Sequence, residues 1–404
     1  MNSAAALLNT TLAPFDYQPR TRIVFGVNTV DRVGELAKEL GAGSVLLVTD
    51  RGIVSAGHAA RVAKLLEAQG IHVACFDQVE ENPGTRCVDK CVELARQCKA
   101  DTIIGLGGGS SMDTAKGCNF ILTNGGQMKD YWGIGKAKKP MLPLIAIPTT
   151  GGTGSECQSF ALITDEQTHQ KMACGDPKAA ARVAILDPAL TVSQPPRVTA
   201  CSGIDAIAHA LETAVTKART PLSLLFSREA LRLTMAGLPR VLESPHDLEA
   251  RGWMLLGAAL GGTAIENSML GAAHSAANPL TAHFGIVHGH AVGLMLPHVV
   301  RFNARDAATA HAYEEIAQAT GVLPTTNGAG SVAEDFANRL DLFLRRSGLP
   351  AALKDCGVTE KAIPQLAGEA ATQWTAKFNP RAVAAADFEE IYSAALPRRP
   401  DRAA

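Results

Sequence analysis

The sequence predicts an α/β half built on a parallel sheet, followed by an all-helical half. Three observations predict it. From about Gly26 to Pro188, short apolar runs alternate with amphipathic stretches. After about Val192, long segments rich in Ala, Leu, Glu and Arg follow one another with few β-branched runs. Between them lies Ser193–Arg197 (SQPPR), whose paired prolines read as a hinge. Strand–helix–strand alternation of the first kind implies parallel strands covered by helices on both faces. The expected domains are therefore 1–192, α/β, and 193–404, helical. A chain of 404 residues suffices for two domains, since each usually takes about 100–200.

The elements follow in order. Ser44–Asp50 (SVLLVTD) is a β-branched run of strand length, and His58–Gln69 has helical periodicity with its charges on one face. Ile71–Asp77 (IHVACFD) is a second strand, Thr85–Cys98 a second helix and Asp101–Leu106 (DTIIGL) a third strand. Further strands are expected at Leu142–Pro148, Ser159–Thr164 and Val183–Leu186. In the second half Gly203–Val215, Leu222–Ala236 and Leu248–Ala264 read as helices. There is no internal repeat.

Composition narrows the function classes. With 47% hydrophobic and 19% charged residues, wholesale disorder is excluded. The net charge of −1 leaves no electrostatic footprint for nucleic acid or an acidic membrane. The nine cysteines form no CxxC pair, and their odd number argues against a complete disulfide framework. They are expected to be structural thiols in a reducing cytosol; Cys87 and Cys91 are one helical turn apart. The N-terminal stretch has no early Lys or Arg and only a short apolar run, too weak for a signal peptide and too short for a span. A cytoplasmic location is expected.

Two turns look built for a ligand. Directly after the third strand comes GLGGGSSMDTAK, with Gly107, Gly108 and Gly109 at a strand-to-helix turn and a helix opening near Ser110. Glycines let another group approach the backbone, and the first free N–H groups and positive dipole end of the helix suit a pyrophosphate. The bland alternative is a tight turn that binds nothing. A second turn, PTTGGTGSE from Pro148 to Glu156, also follows a strand, and open α/β sheets bind ligands at strand ends. Neither turn matches GxGxxG or the P-loop. Asp50 closes the first strand; its carboxylate either accepts adenosine ribose hydroxyls, favouring NAD over NADP, or merely caps the next helix.

In the helical half, Asp205 and His209 are four residues apart, which puts both on one helix face. His274 and His288 follow, in a stretch from His274 to His298 that holds five of the eleven histidines. One carboxylate and three imidazoles suit Zn²⁺ or Fe²⁺. Such an ion with an open position acts as a Lewis acid towards a bound oxygen, as alcohol–carbonyl chemistry requires.

With these residues in view, the chain resembles the iron-containing (group III) alcohol dehydrogenases, the family of lactaldehyde reductases and butanol dehydrogenases. GGGSSMDTAK, IPTTGGTGSE, ILDP, GIDAIAHALE, GAAHSAANPL, VHGHAVGLMLPHVVRFN and the FNPR from Phe378 to Arg381 carry the resemblance from about Arg22 onwards. It implies a dehydroquinate synthase-like fold with the active site between a nucleotide-binding and a helical domain. By position it implies metal ligands at Asp205, His209, His274 and His288. The pyrophosphate falls on Gly107, Gly108, Gly109 and Ser110, and Asp113 of the same motif counts among the cofactor-binding residues. Thr149, Thr150 and Thr153 fall on the nicotinamide side, Lys171 on a cleft lysine, and Asp50 on the position associated with NAD. The implied reaction is hydride transfer between NAD(H) and a small alcohol or its aldehyde or ketone, with Fe²⁺, or Zn²⁺ or another divalent ion, in a dimer or larger homo-oligomer.

One position departs from the pattern. Many family members carry a second histidine one turn after the third ligand, assigned to proton relay or cofactor contact; here Asn278 stands there and cannot titrate. Either the role is dispensed with, or His283 takes it over. Beside the dehydrogenase stand a non-redox NAD-using lyase of the dehydroquinate synthase kind, which lacks the Asp205–His209 spacing, and a metal hydrolase, which no HExxH supports.

Overall fold

The computed structural model describes residues 14–167, 170–323 and 331–396. The first thirteen positions of the N-terminal stretch lie outside them. The contacts divide the chain into two compact units: residues 18–195 with Ser244–Gly262, and residues 14–17, 196–243 and 263–396. The change falls at Pro195/Pro196, inside the SQPPR segment.

The first unit is α/β. Its elements are β1 (Arg22–Phe25), α1 (Val33–Glu39), β2 (Ser44–Val48), α2 (Arg51–Ser55), α3 (His58–Glu67) and β3 (His72–Phe76). Then come α4 (Thr85–Gln97), β4 (Thr102–Gly107), α5 (Gly109–Asn124), β5 (Gly133–Ile134) and β6 (Leu144–Pro148). β7 (Phe160–Thr164), β8 (Lys171–Gly175) and β9 (Val183–Leu186) complete it. Six strands form a parallel sheet in the order β1-β9-β6-β4-β2-β3. The remaining three form a small mixed sheet, β5-β8-β7.

The central strands are unbroken apolar runs because both faces are covered. In β2, Leu46 and Val48 enter the core under α4 and α5 with Ile103, Cys91 and Met112. Val45 and Leu47 point the other way, into the core of α1 and α3 with Ile104, Ile145 and Ile185. Burial of each such side chain stabilises by ~1.5–3 kcal/mol, so the sheet is held from both sides.

The expected strands are all present, with ends moved by one or two residues. Three others had no periodic signal. β1 is an edge strand with one buried residue, β5 has two residues, and β8 carries a lysine at its first position.

The second unit is helical: α6 (Pro196–Val215), α7 (Pro221–Glu243), the end of α8 (Leu248–Ser268), α9 (Ala272–Phe284), α10 (His288–Asn303), α11 (Ala307–Thr320), α12 (Val332–Arg346), α13 (Ile363–Thr372) and α14 (Ala385–Ala395). α8 belongs to the α/β unit up to Gly262. α6 opens on Pro196, whose missing N–H costs nothing in a first turn. α7 runs beyond the expected Ala236 to Glu243, with Pro239 inside it. Among the described residues no helix is long and apolar enough to cross a membrane, and all nine cysteines are free.

Candidate metal centre and dinucleotide turns

α6 carries the first two expected ligands on one face. Asp205 and His209 are 4% and 5% exposed, with Asp205 Oδ1 3.5 Å from His209 Nε2. His274, 4% exposed in the first turn of α9, brings Nε2 to 3.4 Å from the same carboxylate oxygen. One ligand atom from each of the three lies within 4.8 Å of the others. The His209 and His274 rings are stacked at 4.9 Å, and the His288 ring is 5.5 Å from that of His274.

His288 comes into place because α10 approaches α6 without a side chain between them. A Cβ on Gly289 would stand 2.2 Å from the Cys201 carbonyl oxygen and 3.1 Å from Asp205 Cβ. Only glycine admits that contact, and it sets the preceding residue beside Asp205.

The electrostatics fit a cation. Burial works to raise the Asp205 carboxyl, but His209 and the other imidazoles hold it far below the usual carboxylate range. Burial works to lower His274, and Glu212 and Asp205 outweigh it, holding the imidazole up to about 9. Asp205 Oδ1 and His274 Nε2 are buried without a hydrogen-bond partner. Two acceptor-capable atoms facing one another in a dry site repel unless a proton or a metal ion lies between them. The residues present therefore fit a divalent ion.

The histidines after His274 divide by position. His290 gives Nε2 to the Pro350 carbonyl at 2.7 Å, and His298 lies among Arg301, Glu334 and Asp341. His283, the candidate proton relay, is not brought to the ligands. It lies nine residues beyond His274, about half a turn round the helix, is exposed, and pairs with Glu369 Oε2 at 2.7 Å. Asn278 sits one turn after His274 and donates to Gln373 Oε1 at 3.0 Å.

The α/β unit sets the two turns side by side. β4 and β6 are parallel neighbours in register, with Gly107 opposite Pro148, so both turns leave the carboxyl ends of the strands side by side. The Thr149 N–H donates to the Gly107 carbonyl at 2.9 Å. Gly107 has φ of 143°, and a Cβ there would meet Ser111 Oγ at 2.5 Å and Asp50 Oδ2 at 3.4 Å. Built on Gly108 and Gly109, a Cβ would lie 3.5 Å from Thr150 Cγ2 and 2.8 Å from Thr153 Cγ2. Gly108, Gly109 and Ser110 stay partly accessible, whereas the next eleven residues of α5 are buried. The open helix N-terminus is thus the one part of α5's first half that a phosphate could reach. Asp50 caps α2 by accepting from the Ile53 N–H at 3.0 Å while Oδ2 faces the glycine turn. Both sequence readings of Asp50 fit this placement.

Asp113 faces inward. It accepts from Ser155 Oγ at 3.0 Å, burial pushes its carboxyl up, and Lys116 and Lys171 oppose that. Lys116, fully buried, gives Nζ to the Ser155 carbonyl at 2.5 Å, Ser155 Oγ at 2.8 Å and the Phe160 carbonyl at 3.0 Å. These residues brace one turn against the other. Lys171 Nζ donates to Asn82 Oδ1 at 3.2 Å.

Two residues escaped the sequence reading. Lys116 gave no signal beyond the motif it closes. Glu212 had one, since it is three residues after His209 and shares its helix face.

The iron-containing alcohol dehydrogenase family model matches residues 19–188, and the model of that family's C-terminal part matches residues 199–396. The chain belongs to the iron-containing alcohol dehydrogenase family. It is 34% identical to the NAD-dependent methanol dehydrogenase of Bacillus methanolicus, over 92% of this chain and 97% of the relative. It is 32% identical to the lactaldehyde reductase of Escherichia coli K12, with the same coverage. The crystal structure of a 1,3-propanediol oxidoreductase superposes with a TM-score of 0.90 at 32% identity, over 95% of this chain and all of that one. As an iron-containing alcohol dehydrogenase the chain is an NAD-linked alcohol–carbonyl oxidoreductase, and the lyase reading finds no support.

Proposed function

We propose that this dehydrogenase acts on small primary alcohols and diols, or on the matching aldehydes, with a divalent ion, Fe²⁺ foremost, on Asp205, His209, His274 and His288. The observation that carries this reading is the convergence of a buried carboxylate and two imidazoles with His288 alongside, where Asp205 Oδ1 and His274 Nε2 face one another without a hydrogen-bond partner. Residues 193–404 would supply the metal and residues 1–192 the dinucleotide.

When bound, the ion supplies a Lewis acid that polarises a substrate oxygen. The chain's own groups do the rest. The N–H groups at Gly108, Gly109 and Ser110 would hold the pyrophosphate at the positive end of α5. Thr149, Thr150 and Thr153 would line the nicotinamide side, and Lys171, whose charge acts on Asp113, would be the cleft lysine. Asp50 would accept the adenosine ribose hydroxyls and repel a 2′-phosphate. Asn278 orients by hydrogen bonding and takes no proton. With His283 turned away, the alcohol proton would leave through ribose hydroxyl and water.

Relatives named for methanol, lactaldehyde and 1,3-propanediol support a small alcohol or diol as substrate. A homo-oligomeric enzyme in the cytoplasm completes the proposal. The test is NADH formation from a panel of small primary alcohols and diols, with NADP⁺ in a parallel series. Turnover with NAD⁺ on one size class supports the reading; silence across the panel, or preference for NADP⁺, overturns it.

A further inference from the structure

Glu212 is 4% exposed on the ligand-bearing face of α6 and is not one of the expected ligands. Its Oε2 accepts from Nδ1 of His274 at 2.5 Å, and its Oε1 accepts from the Ala273 N–H at 2.7 Å. Ala273 is the second residue of α9, and its N–H has no carbonyl within the helix to bond. The Ala272 N–H is taken by Asn379 Oδ1 at 3.2 Å. That amide is fixed in turn: Asn379 Nδ2 donates to Asn303 Oδ1 and to the Arg381 carbonyl, both at 2.7 Å. A Cβ on Gly271 would crowd both acceptors, at 3.0 Å from Asn379 Oδ1 and 3.1 Å from Glu212 Oε1. The first turn of α9 is thus capped by two side chains distant in sequence, and only one of them also touches a ligand.

We propose that Glu212 is a positioning residue for the metal centre, an inference that rests on the ligand set above. By accepting from Nδ1 it fixes the His274 tautomer, with the proton on Nδ1 and the Nε2 lone pair aimed at the ion. By accepting from Ala273 with its other oxygen it holds the imidazole at a set depth against α6. Asn379, a residue of the FNPR motif, caps the same turn but acts on the helix alone. A metal-ligating imidazole whose far nitrogen is held by a carboxylate binds with a fixed orientation and greater basicity, and loss of such a partner weakens binding by roughly 10–100-fold.

Comparing Glu212→Gln with Asn379→Ala separates positioning from capping. The amide has one acceptor and one donor, so it cannot accept from both Nδ1 and Ala273. Zn²⁺ dissociation constants would be measured by competition with a chromophoric chelator, and ligand geometry by the visible spectrum of the Co²⁺-loaded protein. Asn379→Ala is the control. The expected result is binding about 10–100-fold weaker with an altered Co²⁺ spectrum in Glu212→Gln, and a lowered melting temperature with near wild-type binding in Asn379→Ala. Glu212→Asp, too short to reach both partners, should fall between. Wild-type affinity and spectrum in Glu212→Gln, or equal loss in both capping variants, overturns the inference. A wild-type chain that takes up no metal overturns the ligand set and this inference with it.

Discussion

Gly289 in α10 lies against Asp205 in α6 so closely that a Cβ on the glycine would stand 3.1 Å from that of the aspartate and 2.2 Å from the Cys201 carbonyl oxygen. One hydrogen atom in place of a methyl group therefore sets the distance between two ligand-bearing helices. Gly289→Ala must push α10 away and carry His288 with it. The expected outcome is a folded protein that retains less than one metal ion per chain, read by elemental analysis beside circular dichroism. Overpacking of this kind costs ~1–3 kcal/mol, so the melting temperature should also fall.

Asp50 does two things at once, and they can be measured apart. Asp50→Ala removes the cap on α2 and should cost ~1 kcal/mol. It also removes the charge that faces the glycine turn. KM for NADP⁺ should fall relative to KM for NAD⁺, while Asp50→Asn keeps the cap and shifts the coenzyme ratio in the same direction. An unaltered ratio in both variants would leave only the cap.

His283 is placed to do little for catalysis. Its partner is Glu369 at the surface, and such a pair is worth ~0.2–1 kcal/mol. The pH–rate profile of His283→Ala should overlay that of the parent. A lost or displaced limb would return His283 to the proton path.

Glu156 is 1% exposed, and burial pushes its carboxyl up to about 7. The folded state then holds a proton that the unfolded chain has lost, from the ordinary carboxylate range up to about pH 7. Stability should fall as pH rises through that window, by up to about 3 kcal/mol, and level off above it. Melting curves of Glu156→Gln should be flatter over the same range; an identical slope would remove Glu156 as the cause.

What could be read from the sequence follows a physical division. β2, β4, β6 and β9 are buried on both faces, so their apolar runs announced them. β1 is an exposed edge and β5 has two residues, so neither needed such a run. The pair Asp205 and His209 was legible because helical period alone puts them on one face. Glu212 obeys the same period, but its partners, His274 and Ala273, are about sixty residues away and meet it only once α9 has docked. The surface placement of His283 was illegible for a related reason. It was a candidate because it follows Asn278 by five residues and can titrate, whereas nine residues beyond His274 along a helix turn a side chain to the other face.

The central claim is that Asp205, His209, His274 and His288 hold the ion on which turnover depends. The most direct test follows NADH formation from a responsive alcohol with protein stripped by chelator, then reloaded in parallel with Fe²⁺ and Zn²⁺, beside His288→Ala treated alike. The account predicts no turnover in the stripped protein, recovery with at least one ion, and none in His288→Ala. Full activity in the stripped protein, or in His288→Ala without metal, would contradict it.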